Sequence, residues 1–508
     1  METHKLNLVA MMSAVLASSA VALADNPLIM NQYTADPTGR LFNGKIYMYP
    51  SHDMPEARTA RGGQGWFAME DYHVFSTEDL INWKDHGVIL DQKQVPWVRG
   101  AANNMWAPDC VERDGKYYFY FPASNQIGVA IGDKPEGPFT LHPTPIVGGI
   151  DPCCFIDWNK YNKEVAAAKD DAAKKAIVPD AYLVWKGNPL SIHKLSNDMK
   201  SLDPETQTIN VAPGNVPGTV VGAPAPAAAP PPPADATASQ PAAGRAGRAG
   251  RGAGGGGGNA NGLIEGPFMF ERKGIYYLTY PHAIRNAGFE SEALEYAISD
   301  SPTGPFKVTG TIMDQTANHC WTNHHSLVEY QGQWILFYHD KDLSPSFDKD
   351  RSIRADYLTF NEDGTINKVI PTFRGVGTAN AKNHVQIDRY SEIGKDGVAV
   401  AFIDDKDTFK GWKTTFSDKG GWIRYNRVDF GKDGLKSVKV QGMSPTGGAI
   451  EIRLDKADGP VLAKVDVAKG DSWKEVTAKL NSAATGTHDL FVSMPAKNDV
   501  AVDWVSFE

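Results

Sequence analysis

The sequence predicts an all-β protein, a five-bladed β-propeller over residues 25–378 followed by a β-sandwich of jelly-roll type over residues 385–508. Three observations carry this. A turn feeding an aromatic, β-branched run recurs five times. A second signature follows most of those runs at a similar offset. After Thr378 the texture changes to short alternating strands.

The first recurrence begins at Asn43-Gly44-Lys45-Ile46-Tyr47-Met48-Tyr49 and returns as Asp114-Gly115-Lys116-Tyr117-Tyr118-Phe119-Tyr120. It returns again as Lys273-Gly274-Ile275-Tyr276-Tyr277-Leu278 and Gln331-Gly332-Gln333-Trp334-Ile335-Leu336. Ala181-Tyr182-Leu183-Val184-Trp185 is a fifth copy, its turn replaced by a charged insert. Such a turn before a β-prone run predicts the second strand of a hairpin. The second signature appears at Ser76 to Trp83, Gly137-Pro138-Phe139, Leu195 to Met199 and Gly304-Pro305-Phe306. Copies roughly 60–90 residues apart indicate radial repetition of a four-stranded sheet, which sends equivalent residues toward one central cavity. The later region holds Ala449-Ile450-Glu451-Ile452-Arg453-Leu454 and Asp489-Leu490-Phe491-Val492 between Gly, Asp and Ser turns, long enough for its own core.

Two inserts interrupt this pattern. Residues 159–180 are charged and Ala-rich and predict a short exposed helix in a long loop. Residues 212–262 run from a Pro/Ala tract to a Gly/Arg tract. That composition buries too little apolar surface to offset its ordering entropy, so it is expected to be disordered.

At 508 residues and a net charge of −9, the chain is expected to have more than one core and no nucleic-acid partner, since phosphate binding needs clustered Lys and Arg. Lys5, the apolar run Leu8 to Val21 and the small-x-small Ala22-Leu23-Ala24 read as a signal peptide over residues 1–24, hence export to the periplasm or medium. The run is shorter than the ~20 residues of a membrane span, and no later segment is apolar enough for one. The four cysteines, Cys110, Cys153, Cys154 and Cys320, fit no zinc spacing. Adjacent Cys153 and Cys154 are an awkward disulfide framework, and buried free thiols are the other reading.

Three acids share a context just ahead of a hairpin. Asp36 precedes Pro37, Asp151 precedes Pro152, and Glu265 precedes Gly266-Pro267. A following proline biases a residue toward an extended backbone. An isolated carboxylate before proline is ordinarily a turn residue. Repetition across blades is what makes the set a candidate for paired-carboxylate chemistry at the axis.

With these residues in view, residues 26–375 resemble glycoside hydrolase family 43. The matching segments are Tyr33 to Pro37, Met105-Trp106-Ala107-Pro108-Asp109, Ile150-Asp151-Pro152, Ile264-Glu265-Gly266-Pro267, Asn323-His324-His325-Ser326 and Arg351 to Ile366. Residues 385–508 resemble a family 6 carbohydrate-binding module through Trp422 to Tyr425, Gly448 to Leu454, His488-Asp489-Leu490 and Val502-Asp503-Trp504. The Gly/Arg-rich insert ending just before Glu265 departs from the pattern.

The resemblance implies Asp36 as general base, Glu265 as general acid and Asp151 as the residue that positions Glu265 and raises its pKa. It implies inversion, which needs carboxyls roughly 6.5–9.5 Å apart. It places His324 at a central calcium or its water shell, and Asp388 and Asp503 at a structural calcium in the sandwich. Trp106 and Phe268 are candidates to line the sugar pocket, and Trp473 to stack on sugar in the sandwich; each could equally be core. The expected substrate is plant cell-wall polysaccharide, arabinoxylan or a relative, cut by an α-L-arabinofuranosidase or β-xylosidase. The alternatives are a non-catalytic carbohydrate-binding propeller, or an endo-arabinanase or galactosidase of the same family.

Overall fold

The protein is described by a computed structural model covering residues 25–60, 65–100, 104–187, 190–211, 264–286, 289–316, 318–394 and 396–508. The expected signal peptide (1–24) and the expected disordered insert (212–262) lie outside the described residues.

Seven sheets are present among the described residues, five before Thr359 and two after Thr378. Blade 1 comprises Thr34–Phe42, Lys45–His52, Asp71–Thr77 and Lys84–Asp91 in sequence order. Blade 2 runs from Asp109–Arg113 through Lys116–Ala123, Gln126–Gly132 and Phe139–Leu141, with Val147–Gly148 added to the third strand. Blade 3 is Ile150–Ile156, Ala181–Lys186, Leu190–Lys194 and Ile209–Val211. Blade 4 is Phe268–Arg272, Ile275–Asn286, Phe289–Ser299 and Lys307–Met313. Blade 5 has three strands, His325–Tyr330, Gln333–Asp340 and Ser352–Leu358. The chain entering the propeller lies along its last strand: Leu28 N–H donates to the Ile353 carbonyl at 2.8 Å, and Thr34 N–H to that of Arg351 at 2.9 Å. First and last segments thereby close the ring.

The first hairpin of four blades turns on a non-glycine residue at positive φ followed by a glycine: Asn43 (51°) and Gly44 (78°), Asp114 (56°) and Gly115 (72°), Lys273 (53°) and Gly274 (87°), Gln331 (51°) and Gly332 (76°). Two consecutive left-handed residues match the strand twist and set each hairpin's register. In blade 3 the same connection carries two helices, Trp158–Ala167 and Asp171–Ala176, with no buried residue. The single helix expected there is thus two, because Ala168 leaves the helical region (φ −68°, ψ 137°) and Asp170 caps a second start through Ala173 N–H.

The aromatic runs are explained by the packing. Each blade is covered on both faces by a neighbour, so successive residues bury in opposite layers. Ile46 and Met48 pack with Phe337 and Ile353 of blade 5, while Tyr47 and Tyr49 pack with Cys110 and Phe119 of blade 2. Cys154 joins blade 2 and Cys153 joins blade 4. All four cysteines are buried, and none forms a disulfide among the described residues.

The C-terminal sheets form a sandwich. One holds Trp422–Asp429, Thr487–Ser493, Gly448–Leu454 and Val461–Val467; the other holds Trp412–Phe416, Val500–Phe507, Leu435–Ser444 and Gly470–Ala484. Their facing side chains, including Ile423, Val438, Ile450, Val465, Val492 and Val502, form one core that also takes in Ile81 of blade 1. Among the described residues no helix is long and apolar enough to cross a membrane.

Candidate active site

Asp36 and Asp151 are built alike. Each is the second or third residue of its blade's inner strand, precedes a proline and sits at positive φ (49° and 54°), and in each the pairing register shifts across it. This bulge turns the carboxylate out of the ladder. The third acid departs from that equivalence. In blade 4 the positive-φ residue before proline is Gly266 (45°), and Glu265 stands one position earlier on a longer side chain. A β-carbon on Gly266 would lie 2.7 Å from the His324 ring, so only glycine brings the backbone this close.

Asp36 is 5 % exposed and saturated with donors. Arg351 Nη1 donates to Oδ1 at 2.9 Å and Ser51 Oγ to Oδ2 at 2.6 Å. Its own N–H donates to His339 Nδ1 at 3.0 Å. Arg351 is locked in turn by Asp53, which accepts from Nε at 2.9 Å and Nη2 at 3.0 Å. The guanidinium lies 4.6 Å from the centre of the Phe67 ring. Asp36 is therefore a carboxylate fixed in place by these donors.

Asp151 and Glu265 form the opposite environment. Asp151 is buried and accepts one hydrogen bond, from Gly266 N–H at 3.2 Å. Burial first, and then the charges of Glu265 and Asp36, hold it well above the usual carboxylate range. Burial also raises Glu265; Lys186 and Arg351 oppose that, and Asp36 adds to it. The pair holds a proton under conditions where an exposed carboxyl has lost it.

A fourth acid was not legible in the sequence. Glu292, in Phe289–Ser299, is 1 % exposed, and neither carboxylate oxygen has a hydrogen-bond partner among the described residues. Burial and then the charges of Glu265, Asp151 and Asp36 push it well above the carboxylate range. Nearby, His324 is kept neutral by burial and by Arg351, its pKa pushed down to about 3. His324 Nδ1 lies 3.9 Å from Asp36 Oδ1. Both side-chain polar atoms of Asn323 are buried without a partner. An orphaned carboxylate, an orphaned amide oxygen and a neutral imidazole around one acidic centre suit a hard cation, for which oxygen donors dominate.

Other expected residues fare differently. Phe268 does not line the pocket: its ring is 2 % exposed, packs in the layer between blades 3, 4 and 5, and has the Arg40 guanidinium 4.7 Å from its centre. Trp106 is partly buried beside the blade 1–2 layer, and its indole N–H is buried without a partner. An aromatic wall not anticipated from sequence adjoins Arg351. Phe67 stacks with Trp321 (6.0 Å, 28°) and Trp321 meets Trp66 (5.8 Å). Trp66, 55 % exposed, and Trp321 line a cavity of about 580 Å³ with Phe347 and Lys349.

In the sandwich, Asp388 and Asp503 share a cavity of about 290 Å³ with Asp25, Trp412 and Trp504. Asp388 Oδ1 accepts from Arg389 Nε at 3.1 Å and Oδ2 is buried with no partner. Burial pushes Asp388 up to about 6; burial and then Asp388 push Asp503 to about 7. Trp473 lies half-buried on the edge strand Gly470–Ala484 and takes no part in this cavity.

A fixed carboxylate beside a proton-holding carboxyl pair, at the axis of a propeller, is an arrangement suited to acid–base hydrolysis of a glycosidic bond. The chain matches the model of glycosyl hydrolases family 43 over residues 24–227 and 255–366, and belongs to that family. Residues 391–508 match the family 6 carbohydrate binding module. The chain is 34 % identical over 375 residues to xylosidase/arabinosidase 43A of Humicola insolens, covering 67 % of this chain and 98 % of that protein. It is 26 % identical over 515 residues to arabinoxylan arabinofuranohydrolase of Bacillus subtilis (strain 168), covering 92 % and 88 %. A crystal structure of a Bacillus subtilis arabinoxylan arabinofuranohydrolase with cellotetraose aligns at a TM-score of 0.49 and 23 % identity, over 96 % of this chain and 99 % of that one. The protein is a glycosidase.

Proposed function

We propose that the protein is an exported, inverting glycosidase of plant hemicellulose that removes arabinofuranosyl or xylosyl units from arabinoxylan. The contrast between Asp36 and the Asp151–Glu265 pair carries the catalytic reading. Ser51 and Arg351 hold Asp36 aimed, so it accepts a proton from water as the water oxygen attacks the anomeric carbon. Glu265, kept protonated by burial, delivers its proton to the leaving oxygen as that bond breaks. Asp151 accepts from the Gly266 N–H, and as the charge of Glu265 disfavours its ionisation, the two carboxyls retain a proton between them. Attack from the face opposite the leaving group inverts the anomeric centre. A non-catalytic sugar-binding propeller has no use for this division of protonation states.

Names of relatives support the substrate class: xylosidase/arabinosidase for the protein of Humicola insolens and arabinoxylan arabinofuranohydrolase for that of Bacillus subtilis. The Trp66–Phe67–Trp321 wall offers faces on which sugar rings stack beside Arg351. Export rests on the N-terminal sequence alone. Calcium fits two places, the axis at His324, Glu292 and Asn323, and the sandwich at Asp388 and Asp503. At the axis it would supply positive charge against the excess of carboxylates.

The test is a panel of aryl glycosides followed by proton NMR of the first-formed sugar. Release of arabinose or xylose with the anomeric configuration opposite to that of the substrate is expected. Retention of configuration, or turnover of neither pentoside, would sink the reading.

A further inference from the structure

We propose that His52, Asp71 and His73 form a binding site for a zinc-class transition-metal ion on blade 1, separate from the catalytic carboxylates. One donor atom from each of the three side chains lies within 4.8 Å of the other two. The strands explain the grouping. Partners Ile46–Thr77, Tyr47–Ser76 and Met48–Phe75 have residue numbers summing to 123, and the same sum carried along the two strands brings His52 toward Asp71. Asp71 and His73 are two apart on one strand and so project from the same face. His52 Nδ1 lies 2.8 Å from Asp71 Oδ1, and the two imidazoles meet edge to face with centroids 5.1 Å apart.

A second observation supports a ligand rather than a hydrogen-bonded strand clasp. Asp85, on the next strand, lies 3.1 Å from His73 Nδ1. A carboxylate that accepts from one ring nitrogen leaves the lone pair on the other and raises its basicity, the arrangement that orients metal-bound histidines. Tetrahedral zinc with bonds of about 2.0–2.1 Å needs donors roughly 3.4 Å apart, so closing the site asks only for side-chain rotations of about 1 Å. Two imidazoles and one carboxylate favour zinc over calcium, which prefers an all-oxygen shell. The three side chains are 13–17 % exposed, leaving a path for the ion and room for water as fourth ligand. His52 adjoins Ser51 and Asp53, which hold Asp36 and Arg351 respectively, so a bound ion would stiffen the strand end that carries the base's partners.

The experiment is titration of the tag-free full-length protein with zinc sulfate against a chromogenic chelator, with cobalt(II) absorption as a report of coordination. One equivalent of zinc per chain, and a visible cobalt spectrum of tetrahedral type, are expected. His52→Ala and His73→Ala should each weaken zinc binding at least tenfold. Asp85→Asn, which leaves all three ligands in place, should weaken it about tenfold. Circular dichroism confirms that each variant is folded, and Asp85→Asn carries the test if a ligand variant is not. No stoichiometric zinc at micromolar concentration, or binding undiminished in the folded variants, overturns the site.

Discussion

Asp36 shows what one carboxylate requires to stay a base inside a protein. Burial strips its oxygens of water, and Ser51 and Arg351 replace the lost hydrogen bonds. Glu265, whose proton burial favours, takes the other role. Glu265→Gln is therefore expected to lower turnover of xylo- and arabino-oligosaccharides by about 10³-fold, yet to cost far less on aryl glycosides whose phenol leaves without a proton. Equal losses on both substrates would remove Glu265 from the acid's role. The shared proton has its own signature. Activity falls at alkaline pH as the raised carboxyl ionises. Asp151→Asn leaves Glu265 without the partner that shares this proton, so that alkaline limb should move toward lower pH. A profile of kcat/KM against pH checks this, and an unmoved limb would show that burial alone sets it. Sequence made these three acids visible because a proline follows each within two residues. Asp53 and Arg351 stayed unassigned because the guanidinium meets partners 298 and 315 residues away, and no local pattern encodes that pairing. Glu292 gave no signal either, since no proline or glycine follows it to set it apart from the neighbouring glutamates.

At the scale of strands and turns, the blade hairpins were legible because two adjacent left-handed residues leave a strong mark in sequence. The one-residue offset of Glu265 was not, since Asp-Pro and Glu-Gly-Pro look like variants of one motif until the backbone shows Gly266 at the position of Asp36 and Asp151. Phe268 was misread for a related reason: in a strand covered on both faces, an aromatic next to a motif residue faces a neighbouring blade as readily as the axis. Two glycines separate backbone strain from crowding. Gly274 (φ 87°) has open space around its missing β-carbon, whereas Gly266 would place one against His324. Gly274→Ala should cost about 1–2 kcal/mol from the left-handed conformation alone and leave kcat unchanged. Gly266→Ala adds overpacking of about 1–3 kcal/mol and displaces His324 and the N–H held by Asp151, so kcat should fall as well. Thermal melts with parallel kinetics check the pair; matched behaviour of the two variants would mean that His324 gives way freely.

At the scale of the whole chain, the sandwich looks separable in sequence, a change of texture after a short linker. The structure ties it to the propeller through buried polar groups. Tyr425 OH donates to Asp25 Oδ1 at 2.7 Å, Arg374 reaches the Asn426 carbonyl at 3.1 Å, and Arg427 donates to the carbonyls of Gly375 and Gly377. Arg374 and Asp25 are 1 % and 2 % exposed. Such pairing is written in side chains some 50 to 400 residues apart, which is why composition could not reveal it. Truncation near residue 380 would strip these partners and Ile81's apolar cover together. It should therefore lower Tm and activity on every substrate, and it confounds support of the propeller with capture of the polymer. Trp473→Ala separates them, because that side chain stands on an edge strand away from the junction. If the tryptophan stacks on polysaccharide, holding the chain against the polymer raises the local concentration of bonds around the axis, a gain that small diffusible substrates do not share. Trp473→Ala should then lower rates on insoluble arabinoxylan several-fold while aryl glycoside kinetics and Tm stay unchanged. Unaltered rates on the polymer would place the sandwich's sugar contacts elsewhere, with the Trp412 and Trp504 rings of the junction cavity next to be varied.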